Sequence, residues 1–384
     1  MNEMFNGCNS LTFLDVSSFN TKKVQKMNKM FKNCYLLTSL DVSGFDISLV
    51  TQLESFFEGC ELLTSIDISN FNTSSCTNMA NMFDDCQSIK SLNISNFNTN
   101  KVTNMKNMFT KCYLLTSLNF SRFDTSMVTN FERMFDSCIS LKELDLSNFN
   151  TNLVNNMQKM FSNCVSLTSL DISKFNTSQI DNYINMFYNC NQLISLDLSS
   201  FDTSKATIME KMFYNCSKIT SLDLSNFNTS SVINMISMFE GCSNLEYIDM
   251  NNFKEAISLQ YNNMFKNIKN NLIYCIGNEN LSPNIQNLLN KKECEYLDCN
   301  PNWKENYENM IKERKNDINI IYDKCVINDI GEAIDDFYFS NEIPGVSIYI
   351  YNMDNIEELK NRYTNLTFVE ISEDKKKSYS NNLE

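Results

Sequence analysis

The sequence predicts an α/β repeat fold in which one unit of 26 residues recurs about ten times. Ten of the fifteen cysteines follow one another at intervals of 26 residues, from Cys8 to Cys242. Phenylalanine recurs with the same period in two further columns, from Phe19 to Phe253 and from Phe31 to Phe265. A fixed period of about 20–50 residues is the signature of a repeat architecture, so the chain is not expected to form an ordinary globular core.

Each unit begins with the pattern of a short strand. In the first unit, Leu14 and Val16 alternate with Asp15 and Ser17, which is typical of a half-buried strand. Leu11 precedes them at the spacing of a leucine-rich repeat. The sequence therefore predicts a leucine-rich-repeat solenoid with one short parallel strand in each coil.

A helical segment is predicted to follow each strand. Asn20 and Thr21 are suitable N-cap residues, and the apolar residues after them are spaced 3, 3, 1 and 3 positions apart. That spacing places on one helix face the residues Val24, Met27, Met30, Phe31 and Cys34. Successive coils would then stack their Phe, Leu and Met columns into a continuous core.

The periodic cysteines are predicted to be free, buried thiols. Neighbouring helices usually lie about 8–10 Å apart, whereas a disulfide needs Cα atoms about 4.4–6.8 Å apart. A metal site is not predicted, because no close C-x-x-C pair occurs among these cysteines.

The repeat is predicted to span residues 1–265, with a C-terminal cap over 266–330 and a partial βαβ-like, α+β segment with a disordered tail over 331–384. The helix of that segment is expected near residues 355–363. Four nonperiodic cysteines are candidates for disulfides: Cys275, Cys294, Cys299 and Cys325. Three pairings are open, and a cysteine-only zinc site is the disfavoured alternative because the spacings lack paired knuckles.

The composition excludes several classes of function. The chain has no histidine, which removes Ser-His-Asp and Cys-His catalysis and His-bearing zinc sites. A formal net charge of −14 disfavours nucleic acid and anionic membranes as partners. No apolar stretch reaches the ~18–20 residues of a membrane-spanning helix. No nucleotide-binding or hydrolase motif is present, so neither an enzymatic activity nor a cofactor is predicted.

The unit MFYNCSKITSLDLSNFNTSSVINM at 212–235 resembles the 26-residue repeat of the BspA-like leucine-rich-repeat surface proteins of bacteria and protists. The resemblance covers residues 1–265, about two thirds of the chain. It implies a cell-surface or secreted protein used in adhesion or partner binding, and it implies no catalytic residues. The signal and the anchor are expected to lie outside this chain.

The candidate binding surface is the exposed side of the predicted strands. One position there holds Asp15, Asp41, Asp67, Asp145, Asp171, Asp197, Asp223 and Asp249, and Asn93 and Asn119 interrupt this column. Parallel strands about 4.8 Å apart would form a ladder of like charges, which raises carboxylate pKa values or attracts cations. Alternatively, each Asp accepts hydrogen bonds from nearby Ser and Thr and needs no ligand.

We expect this ladder to bind a protein or glycan ligand. Loosely held calcium is a weaker alternative, because no D-x-D-x-D loop is present. Catalysis by the ladder is disfavoured, since a general acid and a general base need different environments. Two other functions remain open: a structural surface coat or spacer that displays another domain, and an enzyme carried by residues 266–384 or by further sequence.

Overall fold

The structure, a computed structural model, describes residues 1–256, 258–269, 272–275, 285, 288, 295–296, 319–321, 347–350 and 367–370. The chain divides into two compact units. The first, the repeat region, comprises Met1–Lys269 and Ile276–Ile285, and the second, the C-terminal region, comprises Asn270–Cys275 and Gln286–Glu384.

Short parallel strands recur in the repeat region. Strand β1 (Glu143–Leu144) pairs with β2 (Ser169–Leu170), and β3 (Ser221–Asp223) pairs with β4 (Tyr247–Asp249). In both pairs a residue lies opposite the residue 26 positions later, as the register of Leu144 with Leu170 shows. The predicted repeat and the parallel pairing are confirmed. The strand predicted in each coil is wrong for most units, because within residues 1–256 and 258–269 strands occur in only four units and have two or three residues each.

A second line of parallel contacts joins the units elsewhere along their length. It consists of isolated bridges between residues 26 positions apart, such as those of Asn78 with Asn104 and of Asn104 with Asn130. The Asn side chains support the local turn, because Oδ1 of Asn78 accepts the N–H of Ala80 at 3.0 Å. These bridges are a second set of backbone contacts between units, separate from the paired strands.

The helical segment predicted for each unit is wrong. Within residues 1–256 and 258–269 no residue is α-helical, and residues 28–33, which lie on the predicted helix, form consecutive turns. Two residues in this part of a unit have a positive φ, which is 54° at Lys29 and 59° at Asn33. A right-handed helix does not contain residues in this left-handed region, so the apolar spacing belongs to a run of turns.

The backbone hydrogen bonds explain why turns replace the helix. The N–H groups of Lys29 and Phe31 donate to the next unit, to the carbonyls of Glu54 at 2.9 Å and Phe56 at 3.0 Å. The N–H of Lys32, which lies between two such donors, instead donates to the carbonyl of Lys29 at 3.3 Å. A helix would use these N–H groups within its own segment. The turns direct every second one to the neighbouring unit.

One of the positive-φ columns carries a signal in its residue types. It holds Gly7, Asn33, Gly59, Asp85, Lys111, Ser137, Asn163, Asn189, Asn215, Gly241 and Asn267. Gly, Asn and Asp are the residues that most readily adopt this backbone conformation. Gly59 is also needed for space, because a Cβ there would lie 2.8 Å from Oδ1 of Asn33. The residue types in this column therefore indicate a turn rather than a helix.

The threonine predicted to be an N-cap joins two units instead. The hydroxyl of Thr21 donates to the carbonyl of Asp46 at 2.9 Å and accepts the N–H of the same residue at 2.7 Å. Thr151 makes the same pair of bonds to Asn176, at 3.0 and 2.7 Å. Both threonines are 2% exposed. Because each buried hydroxyl bonds both the N–H and the carbonyl of a residue in the next unit, this column helps to stabilise the stack.

The core of the repeat region is a continuous stack of phenylalanine rings. One ring from each unit takes part, from Phe5 to Phe265, with neighbouring centroids 5.4–5.9 Å apart and ring planes within 19° of parallel. Buried leucines and methionines such as Leu37 and Met30 pack around the rings. The predicted core of Phe, Leu and Met columns is confirmed.

The periodic cysteines are free thiols, as predicted, but the predicted reason is wrong because no helices separate them. Those from Cys34 to Cys242 are buried, and Cys8 is half-buried. Each buried Sγ donates to a phenylalanine carbonyl 29 residues earlier, at 3.0–3.3 Å. Burial raises the pKa of these thiols, to about 11 at Cys34 and about 12 at Cys190.

The C-terminal region contains two parallel arrangements. Strand β5 (Ile273–Cys275) pairs with β6 (Glu295–Tyr296). Strands β7 (Asn319–Ile321), β8 (Ser347–Ile350) and β9 (Thr367–Glu370) form a three-stranded sheet with β8 in the centre. The two strands predicted before and after residues 355–363 are confirmed as β8 and β9, whereas β7 was not predicted.

Some of the predictions for the C-terminal region fall on residues that the structure does not describe. These are the helix near 355–363, the polar tail, and the cysteines Cys294, Cys299 and Cys325. Cys275 is the last residue of β5. The disulfide prediction therefore stays a prediction.

Candidate functional site: the acidic strand face

The predicted ladder carboxylates lie on a strand only at Asp223 and Asp249, and all but Asp249 are exposed. Seven of the eight are exposed and alternate with buried apolar residues: Asp15, Asp41, Asp67, Asp145, Asp171, Asp197 and Asp223. Asp249 is only 8% exposed, and its Oδ2 accepts the hydroxyl of Tyr247 at 3.3 Å. The accessible acidic strand face therefore consists of the seven exposed residues.

Each of these aspartates also orders the backbone of its own unit. Oδ1 of Asp145 accepts the N–H of Ser147 at 3.0 Å, and the other six make the same bond at 2.9–3.1 Å. At Asp67 and Asp171 the serine hydroxyl donates to Oδ1 as well, at 2.6 and 2.7 Å. Because these bonds use Oδ1, the turn fixes the carboxylate and leaves Oδ2 available to a partner.

The increase in pKa that repulsion along the ladder predicts is wrong for six of these carboxylates, which instead accept serine hydrogen bonds, as the alternative interpretation expects. The bonds from the serine side chain and N–H lower the pKa of Asp15, Asp41, Asp67, Asp145, Asp171 and Asp197. Repulsion from Asp67 and Asp15 raises the pKa of Asp41, but by less than the serine bonds lower it. These carboxylates are thus ionised at neutral pH. The pKa of Asp249 is raised, chiefly by burial.

The two asparagines in the column keep the turn and remove the charge. Oδ1 of Asn93 accepts the N–H of Ser95 at 3.3 Å and its hydroxyl at 2.7 Å. Oδ1 of Asn119 accepts the N–H of Ser121 at 2.9 Å. The acidic strand face is therefore divided into two runs, one from Asp15 to Asp67 and one from Asp145 to Asp223.

A second column of the same turns lies just beyond the strands, and the sequence analysis missed it. Asp46, Asp124 and Asp202 accept the N–H of the serine two positions later, at 2.9–3.0 Å. The serine bonds lower the pKa of all three carboxylates. Asn occupies this position in other units, for example at Asn72. The first member of this column is Asn20, which the sequence predicts, with Thr21, to be a helix N-cap.

The described part of the chain has neither a metal-binding group nor a membrane-spanning helix. There, no three His, Cys, Asp or Glu side chains come together in a group that could hold a metal ion. Over the same residues, no helix is long and apolar enough to cross a membrane.

The repeats match a protein family that is described as "Mycoplasma protein of unknown function, DUF285", at residues 1–117, 84–195, 114–221 and 184–271. The chain belongs to the DUF285 family. The four matches overlap and together extend over the whole series of units, which identifies DUF285 as a repeat family. No curated protein and no solved structure matches this DUF285 chain.

Proposed function

We propose that this DUF285 chain is a non-catalytic leucine-rich-repeat solenoid of the BspA-like type, which binds a partner through its acidic strand face. The parallel register between units and the continuous phenylalanine core support the solenoid. The resemblance of the unit at 212–235 to the BspA-like repeat supports the adhesive role. The same resemblance supports a location at the cell surface or in secretion.

The observation that carries the proposal is the order of the carboxylates. Asp145, Asp171 and Asp197 are exposed, ionised and fixed by their turns, one in each successive unit. Paired parallel strands place equivalent residues about 4.8 Å apart, and β1 pairs with β2 directly before Asp145 and Asp171. Because the turns already fix these carboxylates, binding of a partner costs little free energy for ordering them. Charge complementarity then favours a basic protein surface.

The second candidate is a structural spacer that displays another domain. The hydrogen bond from Ser147 to Asp145 favours this candidate, because it accounts for the aspartate without any partner. The two functions differ in one measurable respect. Only a binding surface loses affinity when its charge is removed and its turns are kept.

The test replaces Asp145, Asp171 and Asp197 with asparagine in one variant. Asn93 and Asn119 show that asparagine preserves this turn. The matched control replaces Asp46, Asp124 and Asp202 with asparagine, which removes the same charge from the same kind of turn at a different edge. Binding of a fluorescein-labelled dodecalysine peptide is measured by anisotropy, and circular dichroism monitors folding.

We expect the strand-face variant to bind the peptide at least about tenfold more weakly than wild type, and the control to lose much less. Equal losses in both variants would show that only net charge matters. An unchanged affinity in the strand-face variant would favour the spacer. Surface location is tested separately, by labelling intact cells with an antibody raised against residues 1–265.

A further inference from the structure

Between its two acidic runs, the acidic strand face presents hydrogen-bond donors in place of carboxylate acceptors. At Asp67 and Asp145, Oδ1 accepts the turn bond, so the remaining oxygen of the side chain is an acceptor. At Asn93 and Asn119 the turn again uses Oδ1, so the remaining group is the Nδ2 amide, a donor. Two successive units thus present donors where the units on either side present carboxylate oxygens.

Exposed cationic side chains lie in or next to the two units that present these donors. Lys90, Arg122 and Lys142 are exposed, and none of the three forms an ion pair within the described part of the chain. On the turn side, by contrast, Lys106 pairs with Glu132 at 2.9 Å and Lys111 with Asp85 at 3.3 Å. These units therefore hold exposed cations without an ion pair, in a chain whose formal net charge is −14.

These groups lie in adjoining units. The N–H and the hydroxyl of Thr116 both donate to the carbonyl of Lys90 at 3.3 Å, which places the two residues side by side. In the following pair of units, Nδ2 of Asn148 donates to the carbonyl of Ser121 at 3.2 Å. This bond joins the unit that carries Arg122 to the unit that carries Lys142. We define the donor patch as Lys90, Asn93, Thr116, Asn119, Arg122 and Lys142, the last at the border of the second acidic run.

We propose that the donor patch binds an anionic glycan, with carboxylate or sulfate groups on Lys90, Arg122 and Lys142 and sugar hydroxyls on the Asn and Thr side chains. Lys and Arg carry only donors, and their bonds to anionic oxygens are stronger than those between neutral groups. The exposed residues that follow Lys90 and Thr116 are the serines Ser91 and Ser117, and the one that follows Lys142 is Glu143.

The decisive variant restores aspartate at the two interrupted positions, Asn93→Asp with Asn119→Asp. Aspartate makes the same turn in the neighbouring units, so the variant is expected to fold. A second variant changes Lys90, Arg122 and Lys142 to glutamine. Its matched control changes Lys23, Lys101 and Lys205 to glutamine, which removes the same charge from exposed residues outside the patch.

Binding is measured by calorimetry at low salt, with a heparin dodecasaccharide, a hyaluronan oligosaccharide, neutral dextran and a polyglutamate peptide as probes. We expect wild type to bind at least one of the two anionic glycans and not dextran. Each patch variant should lose at least about tenfold in affinity, and the control should lose less than about twofold.

Three results would overturn the proposal: no binding of either anionic glycan by wild type, equal losses in patch and control variants, or equal affinity for polyglutamate. The last result would assign the patch to acidic polypeptides. Dodecalysine binding is measured on the same proteins and should not weaken in the Asn93→Asp, Asn119→Asp variant. A failure of the donor patch is therefore distinguishable from a failure of the acidic strand face.

Discussion

Replacement of Thr151 by valine tests whether the buried threonine column stabilises the stack. The hydroxyl of Thr151 donates to the carbonyl of Asn176 at 3.0 Å and accepts its N–H at 2.7 Å. Valine has the same shape, and Ile47 shows that the column accepts an apolar side chain, since it is 1% exposed there. The substitution thus removes two hydrogen bonds without creating a cavity.

The expected cost follows from the two backbone groups that lose their partner. A buried donor or acceptor left unsatisfied costs about 1–3 kcal/mol, and some relaxation is expected at a turn. The free energy of unfolding should therefore fall by about 2–4 kcal/mol. Thr151→Ser retains the hydroxyl and loses one methyl group, so it should cost about 1 kcal/mol.

Urea unfolding followed by far-UV circular dichroism measures these differences. Thr64→Val is the control, because Thr64 is exposed and an exposed change of this kind usually alters stability by less than about 0.5 kcal/mol. The reasoning fails if Thr151→Val is as stable as this control. It also fails if Thr151→Ser is as destabilised as Thr151→Val.

Three further predictions follow from the same structure. Burial raises the pKa of the periodic thiols from Cys34 to Cys242, so these cysteines should resist iodoacetamide at pH about 8 until urea is added. Half-buried Cys8 should be the first of the periodic cysteines to react. Rapid labelling of Cys138 in the folded protein would contradict this. Burial, with repulsion from Glu58 and Asp85, raises the pKa of Asp84 from 3.8 to about 7. The contribution of protonated Asp84 to the free energy of unfolding is therefore complete below the pKa of the unfolded state and is lost as pH rises towards 7. Asp84→Asn should therefore gain stability relative to wild type between pH about 5 and 8, and a difference that does not change with pH would refute the assignment. Asp145→Ala should lower the melting temperature more than Asp145→Asn, since only asparagine can accept the N–H of Ser147; equal melting temperatures would show that the turn does not need this acceptor.

The sequence predicts correctly those parts of the fold for which the same residue type recurs every 26 positions. The Cys and Phe columns, the inward leucines and the parallel register all follow from the period of 26 residues and from alternation. The helical segment could not be decided in this way. Val24, Met27, Met30, Phe31 and Cys34 are spaced as on a helix, but tight turns with repeated i to i−3 bonds bring the same positions inward.

Two local signals would have corrected that error. The column from Gly7 to Asn267 is rich in Gly, Asn and Asp, which predicts a positive φ in every unit. The invariance of Thr along most of its column is a further signal, because an N-cap accepts Ser, Asp or Asn equally well whereas Thr21 and Thr151 are buried. The position of the acidic strand face was predictable, since it depends only on alternation. The lowered pKa values of its carboxylates follow from the serine bonds, which the sequence predicts only as an alternative to repulsion, because alternation does not decide between the two.

The alternation of backbone donors between a unit and its neighbour has a consequence for how this chain changes in length. Bonds such as that from Phe31 to Phe56 link residues 25 positions apart, and every unit repeats them. Duplication or loss of one complete unit keeps all of these bonds, because the next unit offers the same acceptors. An insertion of a single residue would displace every later acceptor in that unit. Variation in length among such proteins should therefore occur in steps of whole repeats.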